Sequence, residues 1–399
     1  MHEVKSPKPQ FFILLLLVSF GSVGAVLFTP ALPAIQQFFH ISIGKTQLTI
    51  TSYLVGYALG QLAYGPMANG LGRKKTLYLG LGLSVVGALL CVASAWIGSF
   101  AVLVLARFIQ ALGATAGLKI SYTMVADTYE QAEATKMISR FILAFAIMPG
   151  IGITIGGWLT QLLSWEACFY FLALFGIVML GLASRLPETA KSIDRSALKL
   201  PSILEGYRLK LKNKQLILSS FLVGCCTSII YIFASKSPFI GINIIGLSPE
   251  VFGTYNLIPP IGMVLGSFLA SALIGRFPVL NLIFGGIACS LLATLAMLIP
   301  FAIAAPSAAS LFFPMVLIYL AQSTVYAHIS SYGLASAKNK SNASAVLNFI
   351  NISSAVVAVL LSEFVFPESA IALPLFFIFF FILMLLLWRR LKLLSSHAS

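Results

Sequence analysis

Long, continuous apolar runs alternate with short polar breaks along almost the whole chain. Runs stand near 11–33, 46–66, 77–97, 99–125, 139–161 and 167–185. A polar stretch follows from about 186 to 214, and then runs near 215–237, 251–274, 279–300, 308–330, 343–366 and 370–388. A membrane span needs roughly 20 apolar residues to cross about 30 Å of hydrocarbon. Backbone groups in lipid must pair internally, so spans are helices or closed barrels. The runs do not alternate apolar with polar, which predicts helices. The expected fold class is all-α integral membrane, with twelve transmembrane helices in two six-helix bundles. Residues 1–185 are expected as the N-terminal bundle, 186–214 as an inter-half loop and 215–399 as the C-terminal bundle. Around 202–213 two readings stay open: an amphipathic helix on the membrane surface, or a solvated linker. Lys5 and Lys8 flank the first run as in a signal peptide. Its length and the eleven further spans predict an uncleaved first helix.

Composition agrees. Of 399 residues, 59% are hydrophobic and 9% charged, too few charges to coat a water-facing surface. A soluble enzyme, a nucleic-acid binder and a disordered chain are excluded on that ground. The net charge of +14 comes from 25 Lys+Arg against 11 Asp+Glu. With a cytoplasmic N-terminus, 21 of the 25 basic residues fall in cytoplasmic segments and Lys45 stands alone outside. Basic residues favour the cytoplasmic side, so both termini are expected there, with the cell inner (cytoplasmic) membrane as the location. Arg107, Lys119 and Lys236 lie within spans. The five cysteines fall in apolar runs without metal-ligand spacing and read as small buried hydrophobes. No cofactor and no metal are expected.

Helices in lipid pack through small residues. Gly56-x3-Gly60, Gly113-x3-Gly117, Gly152-x3-Gly156 and Gly262-x3-Gly266 supply them, with a Gly80, Ser84, Ala88 stripe in the third span. Pro149, Pro259, Pro260 and Pro314 fall inside spans, where each removes a backbone hydrogen bond and bends a helix.

Several motifs sharpen this outline. Gly65-Pro66-Met67-Ala68-Asn69-Gly70-Leu71-Gly72-Arg73-Lys74-Lys75 links the second and third spans. Arg107-Phe108-Ile109-Gln110-Ala111-Leu112-Gly113 lies in the fourth, and Pro149-x6-Gly156-Gly157 in the fifth. Pro30-Ala31-Leu32-Pro33 ends the first run, Leu186-Pro187-Glu188-Thr189 follows the sixth, and Ser237-Pro238-Phe239 lies at the end of the seventh. The chain resembles the major facilitator superfamily in these motifs, and within it the drug:proton antiporters of the bicyclomycin and chloramphenicol resistance type. The resemblance implies the major facilitator fold and gating or conformational roles for Gly65, Asn69, Gly72, Arg73, Lys74, Asp127, Pro149, Gly156 and Gly157. It implies a cavity-facing Arg107, with Gln110 one turn away to orient it or to bind substrate.

Three departures bear on mechanism. Asn69 and Gly70 replace an acid and an arginine of the loop motif, so the gate is expected to be weaker or held differently. Asn69 is expected to accept hydrogen bonds at a helix N-terminus. Val26 stands where relatives often carry an aspartate, and Ile153 replaces a second proline. No carboxylate lies deep in a span. His328 and Glu363 are the remaining candidates for a proton site, and a satisfied structural histidine is the competing reading of His328. Asp127 is expected to pair near Lys136 or Arg140. Tyr53 and Tyr57 share a helix face and line a cavity or pack. Asn348 and Asn351 are expected to bond between helices. Lys119 and Lys236 either bind substrate or snorkel to the interface.

The function expected is secondary transport of a small molecule, with export of drugs or metabolites as the first reading. The candidate substrate-binding set is Arg107, Gln110, Lys119, Tyr53, Tyr57 and Lys236. The alternative is a carrier, exporting or importing, of an anionic metabolite or carboxylate siderophore, without buried-acid proton coupling. The chain shows no catalytic constellation. Expected partners are the small-molecule substrate, the lipid bilayer and protons, with no nucleic acid and a monomeric working unit.

Overall fold

The computed structural model describes residues 8–190, 192–195, 213–337, 340–364 and 369–396. The surface helix or linker expected around 202–213 lies outside them up to residue 212.

The first apolar run is not one straight helix. α1 (Phe11–Val26) ends in a turn, Thr29–Ala31 forms a 3-10 turn, and α2 (Leu32–Phe39) completes the stretch. Pro30 and Pro33 supply no N–H to the preceding turn and crowd its carbonyls, so the helix breaks inside the apolar layer. Continuous helices follow: α3 (Ile43–Leu71), α4 (Arg73–Ile97), α5 (Phe100–Thr128), α6 (Gln131–Leu162) and α7 (Ala167–Ala183). After the polar stretch come α8 (Lys214–Pro238), with a π-turn Phe239–Ile244, and α9 (Pro249–Tyr255). The remainder is α10 (Ile258–Leu273), α11 (Val279–Ala302), α12 (Ala308–Ala335), α13 (Lys340–Phe364) and α14 (Ala372–Ser396).

The ends follow local chemistry. Ser42, Asn213 and Ser248 accept hydrogen bonds from the third residue of α3, α8 and α9, satisfying donors that a first turn leaves unpaired. Pro249 opens α9, and Pro259 and Pro260 fall in the first turn of α10, where a missing N–H costs nothing. The run expected at 251–274 is therefore two helices. Pro149 and Pro314 are accommodated inside α6 and α12.

Among the described residues, nine helical stretches are long and apolar enough to cross a membrane, and α7 is a shorter apolar helix. α3 and α6 are as long, 29 and 32 residues, but carry more polar and small side chains. The chain is a multi-pass membrane protein.

Within residues 8–195, α5 packs on α4, α3 and α1, and α6 packs on α1. Glycines set the spacing. A Cβ on Gly56 would meet the Phe108 carbonyl, one on Gly113 the Gly80 carbonyl, and one on Gly117 the Leu17 carbonyl. Beyond residue 213, α12 packs on α10 and α11, and α13 packs on α8. There Gly262 and Gly266 lie against the Val316 and Leu320 carbonyls. These are the close approaches the small-residue spacing predicts.

The two sets meet through α3 against α13 and α6 against α9 and α10. The Ser362 hydroxyl donates to Gln47 Oε1 at 3.4 Å, and the Thr154 hydroxyl donates to the Gly253 carbonyl at 2.9 Å. Gly157 abuts Pro249, and Gly150 abuts Pro260. The Gln47–Ser362, Thr154–Gly253 and Gly157–Pro249 contacts lie toward the face that carries Lys45 and Glu250, called here the far face, and Gly150–Pro260 lies deeper, near the middle of α6. The opposite, basic face carries Lys8, Arg73 and Asn213.

Four of the five cysteines are buried as expected, but Cys289 points outward from α11. An apolar run surrounded by lipid has an outer side, and Cys289 is on it.

Candidate functional site

Arg107, two turns into α5, has no exposed surface. A basic residue at mid-span costs about 2.5–3.5 kcal/mol on insertion scales. Here four oxygens offset that cost. Nη1 donates to the Gly24 carbonyl at 2.9 Å and to Gln110 Oε1 at 2.6 Å. Nε donates to the Thr49 carbonyl at 3.3 Å, and Nη2 to the Ala25 carbonyl at 3.4 Å. The guanidinium carbon lies 4.1 Å from the ring centroids of both Phe28 and Tyr53, a cation–π sandwich. Gly24 and Ala25 belong to the last turn of α1, whose carbonyls the break leaves without helical partners. The Thr29 hydroxyl donates to the next carbonyl, Val26, at 2.8 Å. Arg107 thus caps a helix C-terminus inside the bilayer, where a positive charge also complements the helix dipole. Val26, at the position expected to bear an aspartate in relatives, is an apolar neighbour, and the oxygens around this arginine are neutral.

The expected partnership of Arg107 with Gln110 is present. Arg107 and Lys119 do not share a site. Twelve residues separate them along α5, about 18 Å at the helical rise. Lys119 is half-buried one turn beyond Thr115, whose hydroxyl bonds the Tyr57 carbonyl of α3. Among the described residues its ammonium has no hydrogen-bond or ion-pair partner.

Tyr53 is buried with its hydroxyl donating to the Gly21 carbonyl at 2.8 Å. Tyr57 stacks on it at 6.3 Å, and its own buried hydroxyl has no partner among the described residues. Lys236 is buried near the end of α8 at the far face. Its ammonium lies 5.7 Å from the Phe376 ring centre. It lines a cavity of about 50 Å³ with Gln47, Asn243 and Ser369, which Arg107 does not line.

His328 is buried, and its Nδ1 lies 2.9 Å from the Thr324 carbonyl. Thr324 itself bonds the Gly266 carbonyl of α10. His328 is two residues from Tyr326, so the two occupy opposite sides of α12, and the ring points into the second bundle's interior. Glu363 falls near the end of α13, and its side chain lies outside the described residues.

The basic face holds a second cluster. Arg73 Nε and Nη2 donate to the two Asp127 oxygens at 2.9 and 3.4 Å, and its Nη1 donates to the Ala68 carbonyl at 2.9 Å. Thr189 donates to Asp127 at 3.0 Å. The expected pairing of Asp127 with Lys136 or Arg140 is corrected. Both of those side chains are exposed, and Arg140 lies over the Phe11 ring instead. Arg73 wins Asp127 because Gly72 and the start of α4 hold it against the end of α5.

The expected role of Asn69 is corrected too. Asn69 sits near the C-terminal end of α3, is exposed, and offers its carbonyl to the Asp194 N–H at 3.0 Å. The carboxylate at the N-terminus of α4 is Glu188, from beyond α7. It accepts the Arg73 and Lys74 backbone N–H groups at 3.0 Å each and that of Ala190 at 2.9 Å. Partial burial raises the Glu188 carboxyl pKa, but the backbone N–H groups of Ala190, Arg73, Lys74 and Thr189 outweigh it and hold it below its ordinary 4.5. Gly72 has φ +91°, and a Cβ there would strike the Glu188 carboxylate. Lys74 Nζ reaches the Ser184 carbonyl at 2.8 Å. Gly65, by contrast, faces open space.

In the fifth-span motif, Gly156 lies against the Leu27 carbonyl at the α1 break and Gly157 against Pro249 of α9. Pro149 precedes Gly150, which touches Pro260.

Among the described residues the carboxylates stand at helix ends or in loops: Asp127, Glu130, Glu133, Glu166, Glu188, Asp194 and Glu250. No group of three metal-binding side chains occurs among them.

The architecture, a helical membrane protein whose two packed sets touch at one face, defines a class before any comparison. The family model of the Major Facilitator Superfamily matches residues 12–362, and the chain belongs to that superfamily of transporters. It is similar to relatives named for drug resistance. The bicyclomycin resistance protein homolog of Haemophilus influenzae is 27% identical over 69% of this chain and 69% of that one. The multidrug resistance protein D of Escherichia coli is 27% identical over 72% and 71%. Among solved structures, a D-xylose-proton symporter superposes with a TM-score of 0.73 at 12% identity, covering 94% of this chain and 96% of that one. At that identity the likeness concerns the fold.

Proposed function

We propose that the chain is an exporter of small molecules from a bacterial cytoplasm, working by alternating access. Its twelve spans form two six-helix bundles, residues 1–185 and 215–399, that rock about a central cleft. The 186–214 loop and both termini are cytoplasmic, because the basic residues gather on that side. The membrane is the inner membrane, and one chain is the working unit.

One observation carries this reading: the described contacts between the bundles gather at the far face. With that face outermost, the cleft opens toward the cytoplasm, ready to load. Relatives named for drug resistance support export over uptake. The anion-carrier alternative loses its main support, because the Arg107 guanidinium is already occupied by four oxygens and two rings. Proton coupling, where it occurs, does not run through a mid-span carboxylate.

Purified protein in proteoliposomes tests this. Substrate efflux from the side bearing the 186–214 loop, measured with and without an imposed pH gradient, is expected to be present in both conditions. Absence of flux for a broad panel of drug-like compounds overturns the exporter reading. A strict dependence on the gradient overturns the statement on coupling.

A further inference from the structure

Tyr53 and Tyr57 look alike in sequence but differ in their hydroxyls. That of Tyr53 is held by the Gly21 carbonyl, while that of Tyr57 is buried and has no partner among the described residues. α3 and α13 pack against each other in opposite directions, with Gln47 meeting Ser362, so Tyr57, ten residues after Gln47, and Asn351, eleven before Ser362, stand at one level of the two bundles. Tyr122 on α5, Tyr231 on α8 and Tyr326 on α12 fall within electrostatic reach of Tyr57. Tyr326 sits against the side-chain amide of Asn351 on α13. Asn351 is 4% exposed, and its Oδ1 is also without a partner among the described residues. Both bundles therefore place phenol rings around the same cleft, with a donor on one side and an acceptor on the other left unmatched. A buried polar group left unpaired is costly unless a ligand or water completes it.

The charges around this cluster are as informative as the hydroxyls. An organic cation entering it meets no carboxylate among the described residues of the span interiors. An anion finds the nearest guanidinium, Arg107, walled off by Phe28 and Tyr53 and already bonded to four oxygens.

We infer that Tyr57, Asn351 and the Tyr122, Tyr231 and Tyr326 rings form the substrate subsite, and that it selects uncharged aromatic molecules bearing both a hydrogen-bond acceptor and a donor. Tyr57 donates to the ligand, Asn351 Oδ1 accepts from it, and the phenol faces stack on its ring. This rests on the transporter reading and adds the substrate class to it. Discrimination arises because either ion leaves its charge unmatched in a low-dielectric site, while the neutral ligand fills both vacant hydrogen bonds.

The test uses three molecules of one shape: 4-hydroxyphenylacetamide, its carboxylate 4-hydroxyphenylacetate, and the amine tyramine. Binding to the full-length protein in nanodiscs and counterflow in proteoliposomes are measured at pH 7. The amide is expected to bind at least about tenfold more tightly than either ion, the value of one well-made hydrogen bond. Tyr57→Phe and Asn351→Ala are each expected to weaken the amide about tenfold and to leave its ion competitors unchanged. Asn351→Asp is expected to turn the preference toward tyramine. Equal or better binding of an ion, or amide affinity unchanged in both variants, overturns the subsite, as does failure of the amide to bind. Binding of the amide without counterflow leaves the subsite standing and overturns the carrier instead.

Discussion

The guanidinium of Arg107 stands 2.9 Å from the carbonyl of Gly24, at the point where the first membrane helix breaks. A charge that would be a liability in lipid is the cap that lets α1 end there. Replacing it with alanine leaves the Gly24 and Ala25 carbonyls unmatched in a dry interior, at about 1–3 kcal/mol per group. Arg107→Ala is expected to lower the melting temperature in detergent strongly. Arg107→Lys is expected to recover only part of it, because an ammonium cannot span Thr49, Gly24, Ala25 and Gln110 at once. Thermal unfolding of both variants checks this, and equal stability of the two contradicts the capping role.

Glu188 stabilises the basic face only while ionised. Its folded pKa lies below the ordinary carboxylate value. Its contribution is therefore complete at neutral pH, and it is lost as the pH falls through the carboxylate range. The wild type is expected to lose thermal stability between about pH 5.5 and 3.5. Glu188→Gln is expected to start less stable and to lose less over that range. Parallel pH profiles for the two proteins contradict the assignment.

Close backbone approaches leave no room for a methyl group at some glycines and ample room at others. A Cβ on Gly117 would strike the Leu17 carbonyl, whereas Gly82 has open space. Gly117→Ala is expected to cost about 1–3 kcal/mol, the usual range for overpacking. Gly82→Ala is expected to be neutral or slightly stabilising, since alanine is the better helix former. Denaturation of the reconstituted variants compares them directly.

Gln47 and Ser362 join the two bundles at the far face. In a cysteine-free background, Gln47→Cys with Ser362→Cys is expected to cross-link under mild oxidation and to stop flux. Reduction is expected to restore it. Continued transport by the cross-linked protein shows that this seam does not need to open.

Much of the fold is legible in the sequence because lipid imposes its pattern residue by residue. Runs of about 20 apolar positions mark the helices, and glycines four apart mark the seams. The split of the first span is written in Pro30 and Pro33, although a hydropathy pattern alone joins the two pieces. The surroundings of Arg107 are not legible in the same way. Three of its four acceptors are backbone carbonyls on α1 and α3, and every residue has one. Closeness along the chain on the basic face points Asp127 to Lys136 or Arg140, whereas its partner Arg73 is 54 positions away. Glu188 showed its motif but not its role, since nothing in Leu-Pro-Glu-Thr says which helix end it meets. The Tyr57 hydroxyl and Asn351 Oδ1, without partners among the described residues, emerge only when the two halves are set side by side.

The sandwich of Arg107 between Phe28 and Tyr53 has a consequence for leakage. The ligands of this positive charge are all neutral, so its enclosure by rings and oxygens blocks direct contact without cancelling its long-range field. Every carrier that loads from the cytoplasm risks letting protons and metal ions slip through with its cargo. On the exporter reading, a guanidinium held in such a socket is expected to oppose the entry of both on the side of the N-terminal bundle.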